Sequence, residues 1–169
     1  MNKPIVFSLI GLLLSLIFGA AAHAADLKIG FVDAERINRE SAPAERATKK
    51  LEKEFAPREQ DLRKMEQQIK LIQGQLEKDG LTMSESDRRT KEQELGRQTR
   101  EFQRLQREFR EDLNLRRNEE LSALFERANK VIKQIAETEK YDLIIQEAVY
   151  RSTRIDITEK VIKALAADK

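Results

Sequence analysis

The sequence predicts a mainly helical α+β protein, in which a small β-rich body carries one long antiparallel coiled-coil hairpin. Three observations lead to this fold class. A heptad repeat of apolar residues begins in the first third of the chain, a glycine-containing break interrupts the helical pattern near its middle, and short β-type segments lie towards both ends. Two long helices joined at the break, with both chain ends in one body, account for all three observations.

The first 24 residues have the order of a cleavable secretory signal peptide. Lys3 provides a positive start, residues 5–18 form an apolar run, and Ala22 and Ala24 supply a small-residue cleavage site. An apolar run of about 14 residues is shorter than the roughly 20 that span a bilayer, which favours cleavage over a membrane anchor. Export to the periplasm is therefore expected, with residues 25–169 as the mature chain.

The composition excludes most kinds of catalytic site. The chain has no Cys, and its one His, His23, lies in the predicted signal peptide, so the mature protein lacks thiolate and imidazole groups for nucleophilic catalysis or zinc binding. None of the six glycines precedes a lysine, which excludes a phosphate-binding G-x-x-x-x-G-K-[ST] loop. We therefore predict a protein that is not an enzyme and needs no cofactor or metal.

The charge of the mature chain gives no reason to expect a nucleic-acid partner. Removal of Lys3 leaves 31 basic and 30 acidic side chains, a net charge of +1. A nearly neutral chain with an export signal lacks the long-range positive field that attracts nucleic acid. We therefore predict that nucleic acid is not bound.

A strand and a short helix are predicted directly after the signal peptide. Residues 27–32 alternate apolar side chains with polar or small ones, which is the period of a half-buried strand. Asp33 is a suitable N-cap for a short helix over 34–40. Ser41 is then expected to cap a second helix, in whose first turn Pro43 is tolerated.

A heptad repeat marks the first long helix, which starts near Ala44. Its seam positions follow in steps of four and three residues, and seven of the eight are apolar: Leu51, Phe55, Arg58, Leu62, Met65, Ile69, Ile72 and Leu76. This 3.5-residue period predicts a coiled coil. The pattern breaks over 78–87, where Gly80 is expected to end the helix in the left-handed conformation and Thr82 or Ser84 to cap the next one. The hairpin tip is therefore predicted there.

The second long helix has an interrupted apolar stripe. Leu95, Phe102 and Phe109 recur every seven residues, but Leu113 follows Phe109 after only four. Adjacent apolar pairs appear later in this helix, and such a wide stripe needs more than one packing neighbour. We therefore expect a hairpin arm over 44–135, whose second helix enters a thicker core in the body.

The end of the chain returns to short strands and a closing helix. Residues 141–146 and 148–150 are rich in side chains that favour strands, and Ile155 is expected to pair briefly. Asp156 followed by Glu159 is typical of a helix start, and the residues after it form an amphipathic helix.

The predicted body, residues 25–43 and 136–169, is too small to be stable alone. A unit of this size rarely buries enough apolar surface to offset the entropy of folding. Association of several copies through the body solves this problem, and the apolar strand residues form the candidate oligomer interface: Ile29, Phe31, Leu143 and Ile145.

The second helix also carries a local excess of positive charge between Arg97 and Arg117, with seven arginines and four acidic residues. One interpretation is a solvated helix with i,i+4 ion pairs. The other is a patch that attracts acidic protein segments, lipopolysaccharide or anionic lipid. The candidate residues for this second interpretation are Arg104, Arg107, Arg116 and Arg117.

Several stretches resemble the Skp/OmpH family of periplasmic chaperones. Together they have the order and spacing of the family and extend over the whole mature chain: residues 28–33 (KIGFVD), 51–55 (LEKEF), 116–120 (RRNEE), 141–145 (YDLII) and 156–158 (DIT). None of them is a catalytic signature.

The resemblance implies a homotrimer with a β-rich body and three helical tentacles. It implies an ATP-independent holdase that binds unfolded outer-membrane β-barrel proteins and prevents their aggregation. It also implies a lipopolysaccharide site on basic arm residues, for which Arg116 and Arg117 are the matching positions. The alternative from another class is a structural coiled-coil spacer or scaffold of the cell envelope, which would require an anchoring segment.

Overall fold

The structure, a computed structural model, describes residues 27–167. The signal peptide predicted for 1–24 lies outside the described residues. The described elements follow in this order: β1 (Ile29–Phe31), α1 (Ala34–Glu40), α2 (Ala42–Asp79), α3 (Glu85–Glu139), β2 (Leu143–Ile145), a 3₁₀ turn (Thr153–Ile155) and α4 (Thr158–Ala167). This is the predicted mainly helical α+β fold. No helix within 27–167 is long and apolar enough to cross a membrane.

The two strands meet although they lie far apart in the sequence. β1 and β2 pair in parallel, from Ile29 opposite Leu143 to Phe31 opposite Ile145. A parallel pair needs a long crossover connection. Here the connection contains the whole α2–α3 hairpin, so the arm is an insertion between two neighbouring strands.

One hydrophobic core joins the body to the foot of the hairpin. Helices α1 to α4 and the segments beside the strands contribute its buried members: Val32, Ile37, Ala44, Leu124, Ala128, Val131, Ile157, Val161 and Leu165. The three residues from α3 are four and three positions apart, which places them on one face of the helix. The expectation that the second arm helix enters a thicker core is confirmed.

Side-chain caps start the helices where the sequence predicts them. Asp33, Ser41 and Ser84 each accept a hydrogen bond from the backbone N–H three residues on, at 3.0, 3.4 and 3.1 Å. These bonds satisfy backbone donors that the first helical turn leaves unpaired. The start of α3 after Ser84 is the second of the two predicted start positions.

The prediction of a left-handed Gly80 is wrong. Gly80 follows α2 with φ −58°, in the right-handed region, and its N–H donates to the Leu76 carbonyl oxygen at 3.1 Å. A β-carbon at this position would collide with that oxygen, so glycine is required here for space rather than for handedness. The left-handed conformation occurs instead at Lys140, where α3 ends with φ 57°.

The strands are shorter than predicted. β1 covers only residues 29–31 of the expected 27–32, and β2 only 143–145 of the expected 141–146. Residues 148–150 form no strand, because in the described part of the chain no partner strand lies beside them. Ile155 lies in the 3₁₀ turn, and its neighbour Asp156 forms the bridge to Phe31. Strand-favouring side chains do not form a strand without a neighbour to pair with.

Three ion pairs between α2 and α3 follow the antiparallel register of the hairpin. We call them the ion-pair ladder, and their N–O distances are 2.5, 3.2 and 2.8 Å: Lys50–Glu120, Glu54–Arg116 and Arg58–Asp112. Each step of four residues along α2 matches a step of four back along α3, and the sign of the charge alternates along both helices. A slip by one helical turn would therefore place like charges opposite each other.

Arg58 is the charged residue in the predicted heptad seam, and the structure explains its place. Its guanidinium lies 5.7 and 5.8 Å from the ring centroids of Phe55 and Phe109, which pack edge to face at 5.6 Å. A guanidinium at this distance from aromatic rings is attracted to them. The ladder partner Asp112 balances its charge, so the seam continues through this position.

We predict that reversing the ladder charges on α2 alone lowers the midpoint of thermal unfolding, because like charges then face each other. The variant is Lys50→Glu/Glu54→Lys/Arg58→Glu. Adding Glu120→Lys, Arg116→Glu and Asp112→Lys restores opposite charges and should recover most of the loss. Circular dichroism melts measure both effects, which should shrink at high salt. An α2-reversed variant that melts like the wild type would show that the ladder does not select the register.

Candidate interaction surfaces

Two of the four candidate arginines are neutralised by carboxylates of their own arm. Arg104 bonds to Glu101 and Glu108 at 2.5 and 2.6 Å. Arg116 belongs to the ion-pair ladder and also bonds to Glu119. The hydrogen bonds that both guanidinium groups donate to these carboxylates raise their pKa. These two arginines therefore have less charge to offer to a ligand.

The other two candidates, Arg107 and Arg117, are exposed and form no ion pair with any residue in 27–167. They belong to a row of arginines that share both properties, which we call the arginine face: Arg97, Arg100, Arg107, Arg110 and Arg117. Steps of three and seven residues place these side chains along one broad strip of α3. Acidic residues occupy a neighbouring strip at seven-residue intervals: Asp87, Glu94, Glu101 and Glu108. The charge of α3 is therefore segregated along the arm.

The four predicted interface residues all lie on the β1–β2 pair but differ in exposure. Leu143 is 48% exposed, Ile29 and Ile145 are half-buried, and Phe31 is 6% exposed. Phe31 is covered by the guanidinium of Arg151, 4.3 Å from its ring centroid. Of the four, Leu143 therefore has most surface available for contact with another molecule.

Arg151 holds the segment after β2 against β1. It bonds to Asp156 at 3.2 Å and to Asp33 at 3.5 Å. Partial burial by itself raises the pKa of Asp156. Hydrogen bonds from Thr158 and the positive charge of Arg151 outweigh burial, so the pKa of Asp156 is lowered. Asp156 is therefore ionised at neutral pH and keeps its ion pair with Arg151.

Three further apolar residues near the strands are exposed, and sequence reasoning did not single them out. Leu27 is 63% exposed, Tyr150 is 85% exposed and Val149 is fully exposed. Together with Leu143 we call them the exposed body residues. The prediction of a strand over 148–150 had assigned two of them to a sheet. Their apolar character was visible in the sequence, but their exposure depends on the absence of a neighbouring strand in the described part of the chain.

A groove of about 430 Å³ lies between α2 and α3 where the hairpin leaves the body. We call it the arm-base groove. Its apolar lining includes six large side chains from the two helices: Leu51, Phe55, Phe109, Leu113, Leu121 and Leu124. Sequence reasoning missed the groove, because it assigned these residues to the contact between the two helices and, for the later ones such as Leu124, to the thicker core of the body.

These surfaces are suited to binding rather than to catalysis. Within residues 27–167, no three acidic or His side chains gather so that they could hold a metal ion. Comparison with known proteins supports a binding function as well. A family model described as outer membrane protein (OmpH-like) matches residues 28–165, from β1 into α4. The chain belongs to the OmpH-like family.

Curated relatives of this OmpH-like protein match over nearly their full length. The chaperone protein Skp of Yersinia enterocolitica is 31% identical over 152 residues, which cover 89% of this chain and 93% of the relative. The chaperone protein Skp of Pectobacterium atrosepticum is 33% identical over 155 residues, with 90% and 93% coverage. These relatives support a chaperone role. Proteins of this family are chaperones rather than enzymes, so the prediction of a non-enzyme is confirmed.

A solved structure has the same fold. The crystal structure of an OmpH-like protein from Caulobacter crescentus superposes with a TM-score of 0.70 and covers 85% of this chain and 86% of its own. Only 15% of the aligned residues are identical. The long hairpin on a small strand-bearing body is therefore retained in a protein of very different sequence.

Proposed function

We propose that this OmpH-like protein is an ATP-independent holdase chaperone of the periplasm, which binds unfolded outer-membrane β-barrel proteins and prevents their aggregation. The observation that carries the proposal is the long arm. α2 and α3 have 38 and 55 residues, which correspond to about 57 and 83 Å at 1.5 Å per residue. An arm of this length provides an extended contact surface for an unfolded chain.

The surface of the arm favours many weak contacts over one tight site. Its exposed large apolar residues are few and lie far apart: Leu71 on α2, Leu81 at the tip, and Leu115 and Phe125 on α3. Several weak contacts on connected arms act at high effective concentration, so a client is held without any single strong contact. A client would leave when its own folding withdraws its apolar surface. The lack of a phosphate-binding loop in the sequence agrees with release without ATP.

The order of the first residues and the family both support the proposed location in the periplasm. The predicted signal peptide would export the chain, and unfolded β-barrel proteins cross the same compartment on their way to the outer membrane. The similarity to chaperones named Skp supports the same assignment. In the periplasm a holdase must work without ATP, which agrees with the proposed mechanism.

The holdase proposal predicts that the protein suppresses aggregation of an unfolded β-barrel membrane protein at a stoichiometric ratio. Light scattering after dilution of the client from urea measures the effect. ATP with magnesium should not change it, since the mechanism has no nucleotide-dependent step. If light scattering rises as it does without the protein, or if suppression depends on ATP, the proposal is wrong.

We further propose that the working form is a homotrimer assembled through the body. Within 27–167, β2 pairs with β1 alone, so its other edge keeps unpaired backbone groups. Of the exposed body residues, Leu143 lies on β2, Val149 and Tyr150 follow it in the chain, and Leu27 precedes β1. All four leave large side chains in water. Association of three copies through this side would bury them and would hold three arms around a common space.

A trimer of this kind predicts that Leu143→Asp dissociates the protein, because association would then bury a charge beside the strand edge. Sedimentation velocity at micromolar concentration measures the oligomeric state. The matched control is Leu71→Asp, since Leu71 is an exposed leucine on α2, far along the arm. The control should remain a trimer. A folded wild-type monomer at this concentration would contradict the proposal.

The arginine face is our proposed site for acidic client segments or lipopolysaccharide. Its members have no partner in the described part of the chain, and their field extends along the arm. This site includes Arg107 and Arg117 from the predicted set and leaves out Arg104 and Arg116, which already bond to carboxylates.

We predict that Arg100→Gln/Arg107→Gln weakens the binding of lipopolysaccharide several-fold more than Arg104→Gln/Arg88→Gln. Both variants lose two positive charges, but the control pair bonds to glutamates within α3. Isothermal titration at two salt concentrations measures binding, and the difference should shrink as salt screens the charges. Equal losses in the two variants would mean that only total charge matters and that the arginine face is not a site.

A further inference from the structure

The arm-base groove is an apolar surface that the packing of the hairpin leaves open. Phe55 and Leu124 are buried, while Leu51, Leu113 and Leu121 in the same lining remain half-buried. Further along the arm Ile69 is buried, while other seam residues of α2 are half-buried like Leu51. The ion-pair ladder and the contact between Phe55 and Phe109 hold the two helices together along this stretch, so the groove lies along one side of their contact.

Two features of the sequence keep the groove open. Small side chains of α2 line it at and beside the seam: Ala44 and Thr48 continue the seam spacing back from Leu51, and Ala47 and Ala56 lie next to seam positions. On the opposite helix, the step of four from Phe109 to Leu113 interrupts the heptad, so the side chains of α3 stop meeting those of α2 in regular layers. The opening thus follows from both helices.

The polar groups of the lining select the kind of ligand. Glu120 is bound to Lys50 at 2.5 Å and Glu59 to Arg63 at 2.5 Å. Two charged groups of the lining have no ion-pair partner within 27–167, namely Glu52 on α2 and Arg117 on α3. The groove therefore has a hydrogen-bond acceptor on one helix and a donor on the other. An extended polypeptide matches both, since every residue other than proline has a backbone N–H and a C=O.

The size and the one-sided opening of the groove limit what it can take up. A volume of about 430 Å³ lies in the lower part of the range for ligand pockets, so only a short segment fits. The side chains of an extended segment point alternately to opposite sides. Apolar side chains on one side would contact the lining, and polar side chains on the other would face water.

We propose that the arm-base groove binds a short, extended segment of unfolded client in which apolar and polar residues alternate. This inference rests on the proposed holdase function and assigns a binding site to it. Strands of membrane β-barrels have this alternation, with apolar side chains on the lipid-facing side. The groove takes up the apolar side of such a strand, while Glu52 and Arg117 hold its backbone.

The test compares the full-length mature protein with two matched variants. Ala56→Phe fills the groove, and Ala123→Phe places the same side chain on exposed α3 surface outside the groove lining, in a smaller adjoining cleft. The probe is a fluorescent ten-residue peptide of alternating Val and Thr, and fluorescence anisotropy measures its binding. We expect Ala56→Phe to weaken binding about tenfold, because it removes the apolar contact area of the groove. The control should stay within about twofold of the wild type.

A second measurement identifies the occupant. A photoreactive benzoylphenylalanine at position 56 should crosslink to the peptide, whereas the same group at position 123 should not. Equal peptide binding by both variants, or equal crosslinking from both positions, would overturn the proposal. Crosslinking from position 56 to a second copy of the chain in the presence of peptide would also overturn it, since the groove would then be part of an interface.

Aggregation assays with the wild type separate this inference from the proposed function. If the wild type suppresses aggregation of an unfolded β-barrel protein but Ala56→Phe binds the peptide normally, only the groove is wrong. If the wild type does not suppress aggregation, the holdase function itself is wrong.

Discussion

Helix α3 belongs to both parts of the molecule, and this continuity is the constraint on which the rest of the structure depends. Its first part forms the arm with α2, while Leu124, Ala128 and Val131 are buried in the body core against α1 and α4. The arm is therefore held at a definite place on the body by a rigid helix rather than by a loop. The same helix delivers β2 to the side of β1, so the parallel strand pair can form only when the hairpin has folded back.

The arm has to be long and yet remain soluble as a narrow two-helix structure. Its seam is only one apolar stripe wide, so packing alone discriminates poorly between neighbouring registers. The ion-pair ladder adds discrimination, because its alternating charges match in one register and repel after a slip of one turn. Individual exposed ion pairs contribute little to stability. The three ion pairs of the ladder act instead by raising the free energy of a hairpin in which α2 and α3 are misaligned.

The body and the arm divide two physical tasks between them. Within residues 27–167, the body leaves apolar side chains exposed and a strand edge unpaired, which favours self-association. The arm is strongly charged and exposes few apolar residues, which keeps the hairpin soluble. The arm-base groove lies between these two regions and offers concave apolar surface that is too small to cause aggregation by itself. This arrangement agrees with the proposed holdase function, in which the protein contacts unfolded chains without joining their aggregates.

Local patterns in the sequence were sufficient to predict the fold class, the long hairpin and the absence of catalytic chemistry. They also predicted the caps at Asp33, Ser41 and Ser84. Each of these features depends on periodicity, capping or composition within a short stretch. The sequence did not determine features that depend on distant neighbours. Residues 148–150 favour a strand, but no strand lies beside them in the described part of the chain. Glycine is needed at position 80 because a β-carbon would collide with the Leu76 carbonyl oxygen, and not because the backbone is left-handed there. The tertiary structure also decided which arginines are neutralised, since the partner of Arg116 is Glu54 on the other helix. It likewise decided where the arm opens, because a groove forms only when two interrupted surfaces are brought together.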